Sequence, residues 1–230
     1  MTKVSTEPIA AKSLLAAENK LFSTWPKTAK GGIVADGVVD PATFLKQEKR
    51  IVFVLKEAND PDGGDWDLRE FASRGARAAT WNNLVRWTRI LQAFPKKLPT
   101  SEIKTIGQSD RIETLKTIAM MNLKKVPGCA TAIRQPILDS AREHSSKLHE
   151  QLSLYDPDIV VACGDPVFNS LKDFVCAEHT HYRSEKRPHN CHAFSWGKRA
   201  QVFDFWHPQT RRSAQFLADA LYDVADATIS

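Results

Sequence analysis

Four short apolar runs, Ile51–Leu55, Ile118–Leu123, Asp158–Cys163 and Gln201–Phe205, punctuate this chain, and helical periodicity fills the intervals between them. Strands separated by helices pair in parallel through crossovers, and the crossover helices cover both faces of the sheet. The pattern therefore predicts an α/β protein, a three-layer α/β/α sandwich around a central four-stranded parallel sheet. Residues 1–230 read as one domain, with roughly the first 45 as a helical and loop extension.

Helices are expected over Ser13–Trp25, Thr80–Phe94, Arg111–Lys116 (a short helical or turn segment), Pro136–Leu154, Val167–Phe174 and Ser213–Ala225. Trp81, Leu84, Val85, Thr88 and Leu91 share one face of the second, and Ile137, Ala141, Ser145, Leu148 and Leu152 one face of the fourth. Lys30–Asp40 and most of Cys176–Trp196 read as loops. With 42% apolar residues the chain can bury a full core. No run approaches the ~18 apolar residues of a membrane span, and the N-terminus carries no signal-peptide pattern. A cytoplasmic, monomeric protein is expected. The four cysteines, Cys129, Cys163, Cys176 and Cys191, form no CxxC pair.

Each apolar run empties into polar residues, and in open α/β sheets such loops at the carboxyl ends of strands carry the chemistry. The first is the richest: Lys56, Glu57, Asn59, Asp60, Asp62 and Asp65 precede or flank Gly63 and Gly64. The later loops contribute Asn122 with Lys124 and Lys125, then Gly164 with Asp165, then His207 followed by Pro208, Gln209, Thr210, Arg211 and Arg212. A net charge of +5 permits nucleic-acid binding without demanding it. No P-loop or GxGxxG is present, which ranks a nucleotide hydrolase last.

In order, the segments KEANDP, NLKKVPG, PDIVVACG and HPQTRRS resemble the uracil-DNA glycosylase superfamily over Ile51 to Leu217. The resemblance implies a DNA glycosylase that flips a pyrimidine from DNA and hydrolyses its N-glycosidic bond. It implies His207 as the group that stabilises charge on the departing base. The first motif aligns in two registers. One matches Glu57 to the Glu of the iron–sulfur branch. The other, favoured narrowly, sets Ala58-Asn59-Asp60-Pro61 against Gly-Gln-Asp-Pro, making Asp60 the water-activating carboxylate, with Asn59 similar to the catalytic Asn of mismatch-specific branches. Asn122 matches the base-reading Asn, and Trp66 or Phe71 falls where a stacking Phe is expected. The resemblance implies DNA backbone contacts by Lys124 and Lys125, and a loop, Pro208 to Arg212, that enters the duplex, where Gln209 replaces the usual Ser and Thr210, Arg211 and Arg212 are open to contacting phosphate or to filling the vacated stack.

Departures matter as much. Lys56 replaces a small Gly and is open to three roles: contacting phosphate, pairing with Asp60, or attacking the sugar as an amine. The CxxC of the iron–sulfur branch is missing, so no cofactor is expected. Asp62 stands where a Tyr normally walls off the pyrimidine 5-position. The substrate is thus uracil or, on this one position, a 5-modified cytosine such as glucosylated hydroxymethylcytosine of phage DNA, in repair or anti-phage defence. Cys176, His179, His181, His189, Cys191 and His192 have no regular zinc spacing, and no metal is expected. The competing expectation is a non-catalytic DNA-binding module on the same fold.

Overall fold

The computed structural model describes residues 7–26, 32–61, 63–176, 180–181 and 191–229. The chain begins with α1 (Glu7–Ser23), two short strands β1 (Val34–Ala35) and β2 (Gly37–Val38), and α2 (Pro41–Leu45). Strand β3 (Ile51–Leu55) leads through β4 (Trp66–Asp67) to α3 (Leu68–Ser73), α4 (Ala78–Ala93), α5 (Thr100–Lys104) and α6 (Gln108–Leu115). Then come β5 (Ala119–Asn122), α7 (Arg134–Glu143), α8 (Ser145–Tyr155) and β6 (Ile159–Cys163). Helix α9 (Val167–Ser170) continues as a π-helical turn, Leu171–Val175, before β7 (Thr180–His181), β8 (Ala193–Trp196), β9 (Ala200–Phe205) and α10 (Ala214–Asp226).

Among the described residues the main sheet has seven strands in the order β2-β5-β3-β6-β9-β8-β7. It is mixed: β3 pairs in parallel with β5 and β6, and β6 with β9, whereas β2, β8 and β7 add antiparallel edges. This corrects the expectation of a four-stranded, wholly parallel sheet. The added strands are two to four residues long, too short for an alternating pattern to stand out. They fall in Lys30–Asp40 and Cys176–Trp196, the segments read as loop.

Alternate residues of the inner strands feed two separate cores. Ile51, Phe53, Leu55, Met120, Val161 and Phe203 pack under α4 and α10. Val52, Val54, Met121, Val160 and Val202 pack with Leu21, Leu148, Leu152 and Tyr155 on the other face. Burial on both faces explains why these strands are continuously apolar. The helix expected over Pro136–Leu154 is two helices broken at His144, whose φ of −105° and ψ of 19° leave the helical region. Ile137, Ala141, Leu148 and Leu152 are all fully buried, so one apolar face runs through the break and hides it from periodicity.

The N-terminal segment is not appended to this fold; it supplies part of a buried ionic network. Lys125, 1% exposed, donates from Nζ to both oxygens of Asp36 at 2.7 and 2.9 Å and to Gln151 Oε1 at 2.7 Å. Gln151 Nε2 donates to Asp36 and to the Tyr155 hydroxyl, which donates to Glu18 on α1 at 2.9 Å. Glu18 also accepts from the Val38 amide and from Arg69. Burial holds the Glu18 carboxyl above its usual range and the Lys125 ammonium below its own. Lys125 is therefore no surface phosphate contact, which corrects the expectation for it: all its hydrogen bonds are spent inside the protein. Replacing Lys125 with Met strands Asp36 as a buried unpaired charge, and urea denaturation is expected to show a loss of about 3–5 kcal/mol.

Candidate functional site

The inner strand order places the crossovers from β3 and from β6 on opposite sides, which opens a crevice at the carboxyl ends of these two neighbours. A cavity of about 1090 Å³ lies there. Lys56 comes to it from the end of β3, Gly164 and Asp165 from the end of β6, and Asp204 and His207 from the end of β9. Ala132, Ile133 and Arg134 close one side at the start of α7; Gln209, Thr210, Arg212 and Phe216 close the other.

His207 is held from several directions. Gly164, at a φ of +82°, lets the two loops meet; a Cβ there would sit 3.0 Å from the His207 Cβ. The Gln209 amide donates to His207 Nδ1 at 3.2 Å, so the neutral ring carries its proton on Nε2. Asn83 of α4 donates to the Pro208 carbonyl at 2.7 Å, and Gln209 donates to the Thr80 hydroxyl at 2.8 Å. Asn83 is in turn oriented by Arg86, whose guanidinium also donates to the carbonyls of Ile103 and Lys104. Burial, and secondarily the Lys56 ammonium, depress the His207 pKa to about 4. The imidazole is thus a neutral hydrogen-bond donor at pH 7. Lys56 itself forms no side-chain hydrogen bond or ion pair among the described residues, and it does not pair with Asp60.

The first loop is fastened by its own acids. Asp60 Oδ2 accepts from the Trp66 indole at 2.8 Å and the Gly64 amide at 3.1 Å, while Oδ1 has no partner among the described residues. Asn59 is exposed and forms an isolated parallel bridge with Gly128. Glu57 is paired with Lys124 at 2.5 Å, with Glu57 7% and Lys124 17% exposed at the side chain. Gly128 permits this approach, since a Cβ there would meet the Glu57 carboxyl at 2.2 Å. Asn122, 2% exposed, ends β5 beside Leu55, and its side-chain amide has no hydrogen-bond partner among the described residues. Phe71 stands between the rings of Trp66 and Trp81, 6.2 Å from each, against the core. Asp62 lies outside the described residues. Of the expected site residues, Lys56, His207, Gln209, Thr210 and Arg212 line the cavity; Glu57, Asn59, Asp60, Trp66, Phe71 and Asn122 do not. Arg211 is exposed beside them, and Asp165 pairs with Arg134 across the rim.

Two further contributors were not anticipated. Asp204 lines the cavity with no side-chain hydrogen bond or ion pair among the described residues, and burial raises its pKa although His192 opposes the shift. A charge inside the run QVFDF was the available signal. Asn83 had none, because a helical asparagine is common on any surface. Cys176 and Cys191 sit in different core layers, and burial pushes the Cys191 thiol up to about 12. Among the described residues no group of three or more His, Cys, Asp or Glu could hold a metal ion; His179 and His189 lie outside them. No helix among the described residues is long and apolar enough to cross a membrane. No protein-family model matches the chain, and no curated protein matches it.

Between pH 6.5 and about 4 the unfolded chain binds a proton at His207 that the folded protein refuses. Stability therefore falls as pH falls through that window. His207→Gln is expected to flatten this part of the curve, as measured by urea unfolding at pH 4.5 and pH 7. Asn83→Ala leaves the Pro208 carbonyl unpaired, and the same measurement at pH 7 is expected to show a loss of about 1–3 kcal/mol.

Proposed function

We propose that this chain is a DNA glycosylase that extrudes a pyrimidine nucleotide and hydrolyses its N-glycosidic bond, leaving an abasic site. The observation that carries the reading is the neutral imidazole of His207, its donor proton on Nε2, in a cavity at the crevice between β3 and β6. As the C1′–N bond breaks, its electron pair moves onto the base and charge grows on a carbonyl oxygen. A preorganised neutral donor stabilises that charge without first losing a proton, and the nearby Lys56 adds positive potential. In this reading the free Oδ1 of Asp60, with the exposed side-chain amide of Asn59, orients the water that adds to C1′, and the Asp60 carboxylate takes the proton that the water loses as its oxygen bonds to C1′. The Asn122 side-chain amide, at the end of β5, presents a donor and an acceptor to one edge of the base. Glu57 is neutralised by Lys124 and takes no direct part.

In this reading β5, β3, β6 and β9 are the glycosylase-superfamily core, elaborated by antiparallel edges. The open cleft, about 1090 Å³ in volume, is larger than a bare pyrimidine fills. It supports a base enlarged at the 5-position, such as glucosylated hydroxymethylcytosine, beside uracil itself. Repair and anti-phage defence are both served by this chemistry, in a cytoplasmic monomer acting on DNA. A non-catalytic DNA-binding module is the competing reading, and it draws on the engagement of Glu57 by Lys124 and of Asp60 by Trp66.

The test is alkali cleavage of oligonucleotides bearing uracil, cytosine, hydroxymethylcytosine or its glucosylated form, with wild type, Asn59→Ala, Asp60→Ala and His207→Ala. Cleavage by wild type and a loss of about 10²–10³-fold in His207→Ala are expected. Retention of DNA without any alkali-labile site would assign the binding module instead.

A further inference from the structure

Once a base has left, its sugar is a hemiacetal whose ring-opened form carries an aldehyde at C1′, and an amine beside that carbon can add to it. Among the described residues that line the cleft there is one lysine, Lys56. It is half-buried, and its carbonyl accepts from the Lys124 amide at 2.9 Å, so its backbone is held in the sheet although β3 has ended. Its ammonium has no partner among the described residues, whereas Lys124 is engaged by Glu57 and Lys125 by Asp36. Cys191 also lines the cleft, but it is 2% exposed and burial keeps its thiol protonated. Lys56 stands near enough to His207 for its charge to disfavour the imidazolium. The donor for the departing base and the free amine therefore share one part of the cleft.

Asp204 lies on the same side of the sheet. Val52, Val54 and Val202 pack in the core layer that contains Ile137 of α7 and Leu148 of α8. Side chains alternate along a strand, so Lys56 and Asp204 continue those rows on that face. The register sets Val54 beside Ala162 and Ala162 beside Asp204. Lys56 and Asp204 thus belong to strands two spacings apart, about 10 Å across the sheet. Between them β6 presents Ala162 and, just past its end, Gly164, whose small size leaves a trough. The Asp204 carboxylate has no side-chain partner among the described residues, and burial raises its affinity for a proton. An amine on one bank and a proton acceptor on the other suit addition at C1′ of a sugar followed by proton loss from its C2′. Phosphate is better met by an arginine fork, and Arg134 and Arg212 stand on the walls of the same cleft.

We propose that Lys56 forms an imine with the abasic sugar and cuts the strand by β-elimination, an abasic-site lyase activity beyond base hydrolysis. The Lys56 amine, having released a proton to solvent, adds to C1′. The carbinolamine oxygen takes up a proton and leaves as water, and a protonated imine remains. Asp204 takes the C2′ proton, the C3′–O bond breaks, and the downstream strand departs with its 5′-phosphate. Water then releases the unsaturated aldehyde and restores the amine. The activity rests on the glycosylase reading for its purpose; its test does not, because the probe is a duplex with a ready-made natural abasic site. Wild type is expected to nick this duplex without alkali. With borohydride, which reduces the imine to a stable amine, wild type is expected to become joined to the DNA through Lys56, as located by peptide mass spectrometry. Lys56→Arg keeps the charge and lacks the amine; it is expected to bind a duplex carrying the tetrahydrofuran analogue, which has no aldehyde, and to give neither adduct nor nick on the natural site. Asp204→Asn is expected to be trapped by borohydride but to nick about 10²-fold more slowly. Wild type without an adduct, or an adduct that persists in Lys56→Arg or maps to another amine, overturns the lyase; undiminished nicking by Asp204→Asn overturns Asp204 as the proton acceptor. Trapping and nicking by a protein that excises no base overturns the glycosylase reading and leaves the lyase standing, and excision without trapping does the reverse.

Discussion

A lysine ammonium sealed inside the protein governs how this chain is assembled. Taking a charge out of water costs several kcal/mol unless its partners are close and complete, and Lys125 meets that demand with Asp36 and Gln151. Asp36 also accepts from the backbone N–H of Asn122 at 2.7 Å, so the same carboxylate fixes the end of β5. Through Gln151, Tyr155 and Glu18 the network reaches α8 and α1, and through Arg69 it reaches α3. The ends of β2 and β5 and the start of the following loop are thereby set in one place, and Asn122 and Lys124 inherit their positions from it.

The cavity follows a different logic. The network meets each charge with a partner, whereas the crevice leaves side chains unmatched among the described residues: the Lys56 ammonium, the Asp204 carboxylate and, at the neighbouring strand end, the side-chain amide of Asn122. Unmatched groups at the ends of parallel strands are costly for folding and useful for a ligand. His207 belongs to neither set. Its ring is oriented by a backbone amide and its loop is strapped to α4, so that its low proton affinity comes from placement in the fold and not from any neighbour in sequence.

The inner architecture was legible because burial on both faces writes itself as unbroken apolar runs; Ile51–Leu55 is found at the limits expected, and β5, β6 and β9 within a residue or so. Edge strands of two residues write nothing comparable. At the site, His207 and Lys56 could be placed from strand ends alone, since a residue just past a parallel strand reaches the crevice whatever its identity. Lys125 could not: its type predicts a surface, and only the distant Asp36 and Gln151 make an interior position tolerable. Asp60 was ambiguous for a related reason. Turn-building and water-orienting carboxylates share one local pattern, and here one oxygen does the first while the other is left open.

The bridge between Asn59 and Gly128, with the Glu57–Lys124 pair beside it, joins the loops that follow β3 and β5. These two loops are consequently fastened to one another as one body. A shift of either is carried to the other, and so to Lys56 and Arg134 on the rim of the crevice.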